Sequence, residues 1–151
     1  MPFIELGKEF ADAKETPLAP EGQYDVLIHA LSEDKVPGLK NNLVIDIRFE
    51  TENYMPFRHW IALPIPEKDA KNDQEKGHNP GTTAKSKMLF AKRFCYLFNI
   101  PYTDSGFNTD DFMGAKTRSG VSQGSFTKDG AEIPVNRLIL PRLPDEIETA
   151  A

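Results

Sequence analysis

The stretch NLVIDIRFETENYMPFRHWIAL, from Asn42 to Leu63, decides the fold. Within it Leu43, Ile45, Ile47 and Phe49 alternate with Val44, Asp46, Arg48 and Glu50, and Phe57, His59, Ile61 and Leu63 alternate with Arg58, Trp60 and Ala62. A period of two marks a strand with one face turned to a core. The link from Thr51 to Pro56 is short and polar apart from Tyr54 and Met55, which predicts an antiparallel hairpin. One face of that hairpin is apolar. The other carries Arg48, Arg58 and Trp60, a charged and aromatic set that a merely solvated face does not need.

Upstream, Gly22 to Leu31 predicts a first strand with Tyr24, Val26, Ile28 and Ala30 on one side, and a turn at Pro37-Gly38 leads into the hairpin to complete a meander. Downstream, Pro64 to Gly81 has no apolar residue beyond Ile65 and Ala70 and predicts a long, solvated, mobile loop. Thr82 or Thr83 then caps a helix to about Phe98, stopped by Asn99 and Pro101. Its broad buried face is Ala84, Phe90, Ala91, Phe94, Cys95, Leu97 and Phe98; Lys85, Leu89, Lys92, Arg93 and Tyr96 lie opposite. A fourth strand from Gly114 puts Lys116, Arg118, Gly120, Ser122, Gly124 and Phe126 on one side. Thr127 to Gly130 is a hairpin turn, and Ile133 to Leu140 a fifth strand whose Pro134 marks a sheet edge.

Three strands, a helix and two strands is the order of an OB-like five-stranded antiparallel barrel, mainly β, with its main helix between strands 3 and 4. Residues 1–20 form an N-terminal arm, 21–142 the domain with a mobile loop at 68–82, and 143–151 an acidic C-terminal tail. The arm spaces Phe3, Ile4, Leu6 and Phe10 as a short amphipathic turn, suited to packing onto the body or to holding a partner.

A chain of 151 residues is long enough to bury a core without disulfides or metal. It has no apolar run near the ~20 residues of a membrane span. Glu5, Lys8 and Glu9 interrupt any secretory leader, so a cytoplasmic protein is expected. One cysteine, Cys95, and three scattered histidines argue against a disulfide or a structural zinc, and no cofactor is implied. The formal net charge of -5 is unevenly spread. From Pro20 to Arg142 there are 16 Lys and Arg against 16 Asp and Glu, so the body is neutral and the acid excess sits at the ends. Local potential, not the overall charge, then governs contact with a polyanion.

No phosphate-cradling glycine loop, nucleophile elbow, HExxH or CxxC occurs. Asp46 and Glu50 flanking Arg48 resemble the carboxylates of a metal-dependent nuclease, but they alternate with apolar residues as a solvated strand face does. His29 and His59 lie within strands and fit structural roles. Binding a single nucleic-acid strand needs cations to track phosphates and flat exposed rings to stack bases. Arg48, Arg58, Lys116 and Arg118 supply the first; Trp60, Tyr54 and Phe126 the second, provided that the helix or the arm does not cover Trp60. The tail, with Asp145, Glu146 and Glu148, suits competition for such a groove or docking onto partner proteins.

Gly22-Gln23-Tyr24-Asp25-Val26, the Leu43 to Glu50 strand, Phe90 to Phe98, Gly114-Ala115-Lys116 and Asn136-Arg137 with Pro141 resemble a family of small phage-encoded proteins. More loosely they are similar to phage OB-fold single-stranded DNA-binding proteins with an acidic tail. The resemblance implies non-enzymatic binding of single-stranded DNA in phage replication or recombination. The alternative is an accessory or structural protein-interaction module of a phage complex that binds no nucleic acid.

Overall fold

Alternating apolar residues become ladder strands in the computed structural model, which describes residues 2–144. Strands β1 (Gly22–Val36), β2 (Lys40–Phe49), β3 (Phe57–Ala62), β4 (Lys116–Lys128) and β5 (Ala131–Leu138) form one antiparallel sheet in the order β3-β2-β1-β4-β5. In the hairpin Val44 pairs with Trp60 and Asp46 with Arg58, which aligns the outward residues of β2 and β3. The inward set, Leu43, Ile45, Ile47, Phe57 and Ile61, is buried with Val26, Ile28, Val121 and Leu138 from the other strands. The β4–β5 turn matches its sequence: Asp129 and Gly130 both take positive φ, 51° and 80°, the twist that a two-residue hairpin loop requires.

The sheet does not close by hydrogen bonds. Its two edges, β3 and β5, approach each other without sharing a ladder. Residues 17–19 bridge this seam at one end. The Met55 N–H, just before β3, donates to the Pro17 carbonyl at 2.9 Å. On the β5 side the buried Asn136 accepts the Ala19 N–H at 3.0 Å through Oδ1 and donates Nδ2 to the Ala19 carbonyl at 2.9 Å. Gln123 Nε2 donates to the same carbonyl at 2.8 Å. A side-chain amide can satisfy a backbone N–H and C=O together, which is why an asparagine suits this buried position.

The helix α3 (Thr82–Leu97) lays Ala91, Phe94 and Cys95 onto the core, and Phe98, Ile100 and Phe112 extend the cover. The Phe94 ring stacks on His59 with centroids 5.1 Å apart and packs against Phe98 and Phe112.

Five expectations are corrected. In β1 the ladder shifts between Ile28 and Ala30, so a bulge at His29 reverses the alternation. Leu31, not Ala30, then pairs with the core residue Ile45. The presumed mobile loop is the helix α2 (Pro66–Lys76), started by proline and ended at Gly77 with φ 69°. It escaped apolar periodicity because its anchoring face is polar: Asp69 and Asp73, one turn apart, are its buried residues. Asp69 accepts the Ile65 N–H and pairs with Lys87 of α3 at 2.6 Å. Asp73 accepts the Gly81 N–H at 3.0 Å, the Thr83 N–H at 2.9 Å and the Thr83 hydroxyl at 2.6 Å. The cap of α3 therefore comes from the preceding helix and not from its own threonines. Phe90 is half exposed at the margin of α3, with Arg93 over its ring at 5.4 Å. In the arm, the short helix α1 (Glu9–Asp12) buries nothing, and Phe3, Ile4, Leu6 and Phe10 stand in solvent rather than on the body. Of the acidic tail, residues 145–151 lie outside the described residues.

Asn136→Ala leaves the Ala19 N–H without its partner in a dry site, and urea unfolding should show a loss of about 2–3 kcal/mol.

Candidate functional site

The seven residues singled out from the sequence fall into separate places. Arg48 pairs across the ladder with Leu27, Leu27 with Lys116, and Asp25 with Arg118, so the three cations share the outer surface of β2, β1 and β4. Each has an acid beside it. Arg48 lies 3.3 Å from Asp46, Lys116 3.1 Å from Glu50 and Arg118 3.4 Å from Asp25. Such exposed pairs add little stability. Their effect is on potential: each of these three positive charges has a carboxylate beside it, which weakens its attraction for phosphates.

Arg58, Trp60 and Phe126 stand elsewhere, on the seam between β3 and β5. A cleft of about 800 Å³ opens there, with Met55, Arg58 and Trp60 on one wall and Phe126, Val135 and Arg137 on the other. Trp60 is 52% exposed and Phe126 44%, so neither is covered by α3 or the arm. Strand parity explains the grouping. Trp60 and Arg58 alternate with the inward Phe57, His59 and Ile61, whereas Phe126 pairs with Ile133 and Gly124 with Val135 on the outer face. Among the described residues neither Arg58 nor Arg137 has an acid within 4.0 Å.

Arg137 was not among the residues read from the sequence. It follows Val135 on the outward parity of β5 and donates Nη2 to the Ser125 carbonyl at 2.8 Å, which lays its side chain across β4. Gly124 makes that approach possible: a Cβ there would stand 2.7 Å from Arg137 Nε. The available signal was an outward arginine on the strand opposite a glycine, and it needs the β4–β5 register to be seen.

Tyr54 is half buried in an aromatic cluster, edge-on to Tyr24 at 5.7 Å and to Phe49 at 5.4 Å. That packing engages the ring and separates it from the exposed Trp60. His59 lines the floor of the cleft against Phe94, and burial lowers its imidazole to about 4. It is neutral at physiological pH and adds no cation to the site. Burial pushes the Cys95 thiol up to about 12, so it is no nucleophile. Among the described residues, no group of three or more His, Cys, Asp or Glu is placed to hold a metal ion.

No family model and no curated protein matches this chain. Among the described residues, no helix is long and apolar enough to cross a membrane.

The lowered His59 predicts a pH dependence of stability. Folding holds the imidazole neutral down to about pH 4, while the unfolded chain protonates it near the ordinary 6.5. The contribution is complete above 6.5 and is lost on acidification between 6.5 and about 4, at up to roughly 1.4 kcal/mol per pH unit. Asp73, lowered chiefly by the Thr83 hydroxyl bond, adds its loss only below its ordinary 3.8. Thermal melts between pH 7 and 4 should fall steadily for the native chain and more shallowly for His59→Phe, which keeps the stack on Phe94.

Proposed function

We propose that this protein is a non-enzymatic single-stranded DNA-binding protein that holds the strand in the β3–β5 cleft. One observation carries the reading: two exposed rings, Trp60 and Phe126, and two arginines with no ion pair among the described residues, Arg58 and Arg137, converge on a single groove. Bases stack on the rings, and the guanidinium groups take the phosphates. The aromatic surface tolerates any base, so binding is sequence-tolerant and driven in part by counterion release. The sheet order, with β3 and β5 brought side by side and a helix between β3 and β4, supports an OB-like barrel. In that architecture the face of strands 2 and 3 and the loop between strands 4 and 5 contribute to the usual oligonucleotide site; Trp60 is on β3, and Phe126 is on β4, three residues before the β4–β5 turn. The resemblance to phage single-stranded DNA-binding proteins supports the same reading and a role in replication or recombination.

A protein-interaction module is the second reading. It is favoured by the unladdered edges of β3 and β5, which offer backbone donors and acceptors to an extended peptide.

Trp60 is the only tryptophan, so its fluorescence reports the site directly. Titration with poly(dT) at low salt should quench it, and Trp60→Ala should cost ~1–3 kcal/mol of binding. Arg58→Ala and Arg137→Ala should each lower the slope of log K against log salt by about 0.7. Arg48→Ala and Arg118→Ala should leave that slope nearly unchanged. Unaltered fluorescence with no mobility shift on single-stranded DNA would refute the proposal and leave the peptide reading.

A further inference from the structure

Two exposed surfaces of this chain are apolar and opposite in charge. The first is the arm. Phe3, Ile4, Leu6 and Phe10 are 62% to 86% exposed, an arrangement that costs free energy unless something covers it. Before Pro17 the arm also carries Glu5, Glu9, Asp12 and Glu15 against Lys8 and Lys14, so it is net acidic. The second is the outer face of α3, where Met88, Leu89, Phe90 and Tyr96 are exposed and interleaved with Lys85, Lys92 and Arg93. The helix contains no acid, and its remaining cation, Lys87, is already held by Asp69. Arg93 has a buried Nε with no hydrogen-bond partner, and Lys92 stands 5.6 Å from the Tyr102 ring centroid.

We propose that the arm of one copy docks on the outer face of α3 of a second copy. The apolar side chains of the arm meet Met88, Leu89 and Phe90, and its carboxylates meet Lys85, Lys92 and Arg93. An amphipathic segment laid along a complementary helix face is an established mode of peptide recognition. The root of the arm is fixed by the Asn136 clamp at Ala19, and the segment before it, fully extended, spans roughly 50 Å, enough to reach a neighbouring molecule. Among the described residues of one molecule, nothing covers either surface. Reciprocal exchange gives a closed dimer and one-way exchange a head-to-tail row. Neither surface lines the β3–β5 cleft, so this inference does not rest on the DNA-binding proposal.

Sedimentation velocity of the full chain without nucleic acid, from roughly 1 to 100 µM, tests the proposal. The native chain should associate with rising concentration, and less so in high salt. An arm variant, Phe3→Ser with Phe10→Ser, and a helix variant, Lys85→Glu with Leu89→Ser, change only exposed residues. Each should weaken association at least about tenfold, with circular dichroism unchanged. Mixed together, they should recover a one-to-one complex, because one intact arm then meets one intact helix face. A native chain that stays monomeric throughout overturns the proposal. So does an arm variant that associates like the native chain, or arm protection from protease that is independent of concentration, which would mean docking within one molecule.

Discussion

The amide of Asn136 holding both backbone groups of Ala19 is the constraint on which the rest of the architecture depends. A five-stranded sheet curled far enough to bring β3 beside β5 has two raw edges facing one another. The chain does not zip them together. It wedges residues 17–19 between them at one end, bonded to the start of β3 through Met55 and to β5 through Asn136. The wedge fixes the separation of the edges, and the rest of the seam stays open as the cleft. The same buried amide therefore stabilises the sheet and sets the position of Trp60 relative to Phe126 and Arg137.

Charge pairing selects the site within a surface rich in cations. Arg48, Lys116 and Arg118 are as exposed as Arg58 and Arg137, yet each has a carboxylate within salt-bridge distance. Asp25 stands opposite Arg118, and Asp46, which faces Arg58 across the β2–β3 ladder, is engaged by Arg48 two residues away on its own strand. Along β5 no acid shares the outward parity of Val135 and Arg137. Among the described residues the body thus has a paired flank, and a seam whose two arginines have no acid within salt-bridge distance.

Much of this was legible in the sequence where burial is apolar. The Asn42 to Leu63 hairpin, α3 and the Asp129-Gly130 turn follow from period, helical spacing and backbone preference. Features specified by polar contacts were not legible. Helix α2 anchors through Asp69 and Asp73, so its inward face looks like solvent-exposed sequence. The bulge at His29 inverts strand parity without any glycine to announce it. Trp60 and Phe126 were visible as stacking candidates, but their partner Arg137 requires knowing that β5 is the edge that returns to β3. Tyr54 satisfied the same chemical criterion and is engaged by Tyr24 and Phe49 instead.

The unladdered seam also has a mechanical meaning. In a barrel closed by backbone hydrogen bonds, strand number and stagger fix the girth, and widening it breaks the ladder. Here the β3–β5 spacing is carried by side chains and by one pinned end, while every ladder bond lies in the other four strand pairings. Compliance is thereby concentrated along one line. A widening of the cleft at its free end would hinge about Ala19 and break none of the four strand pairings.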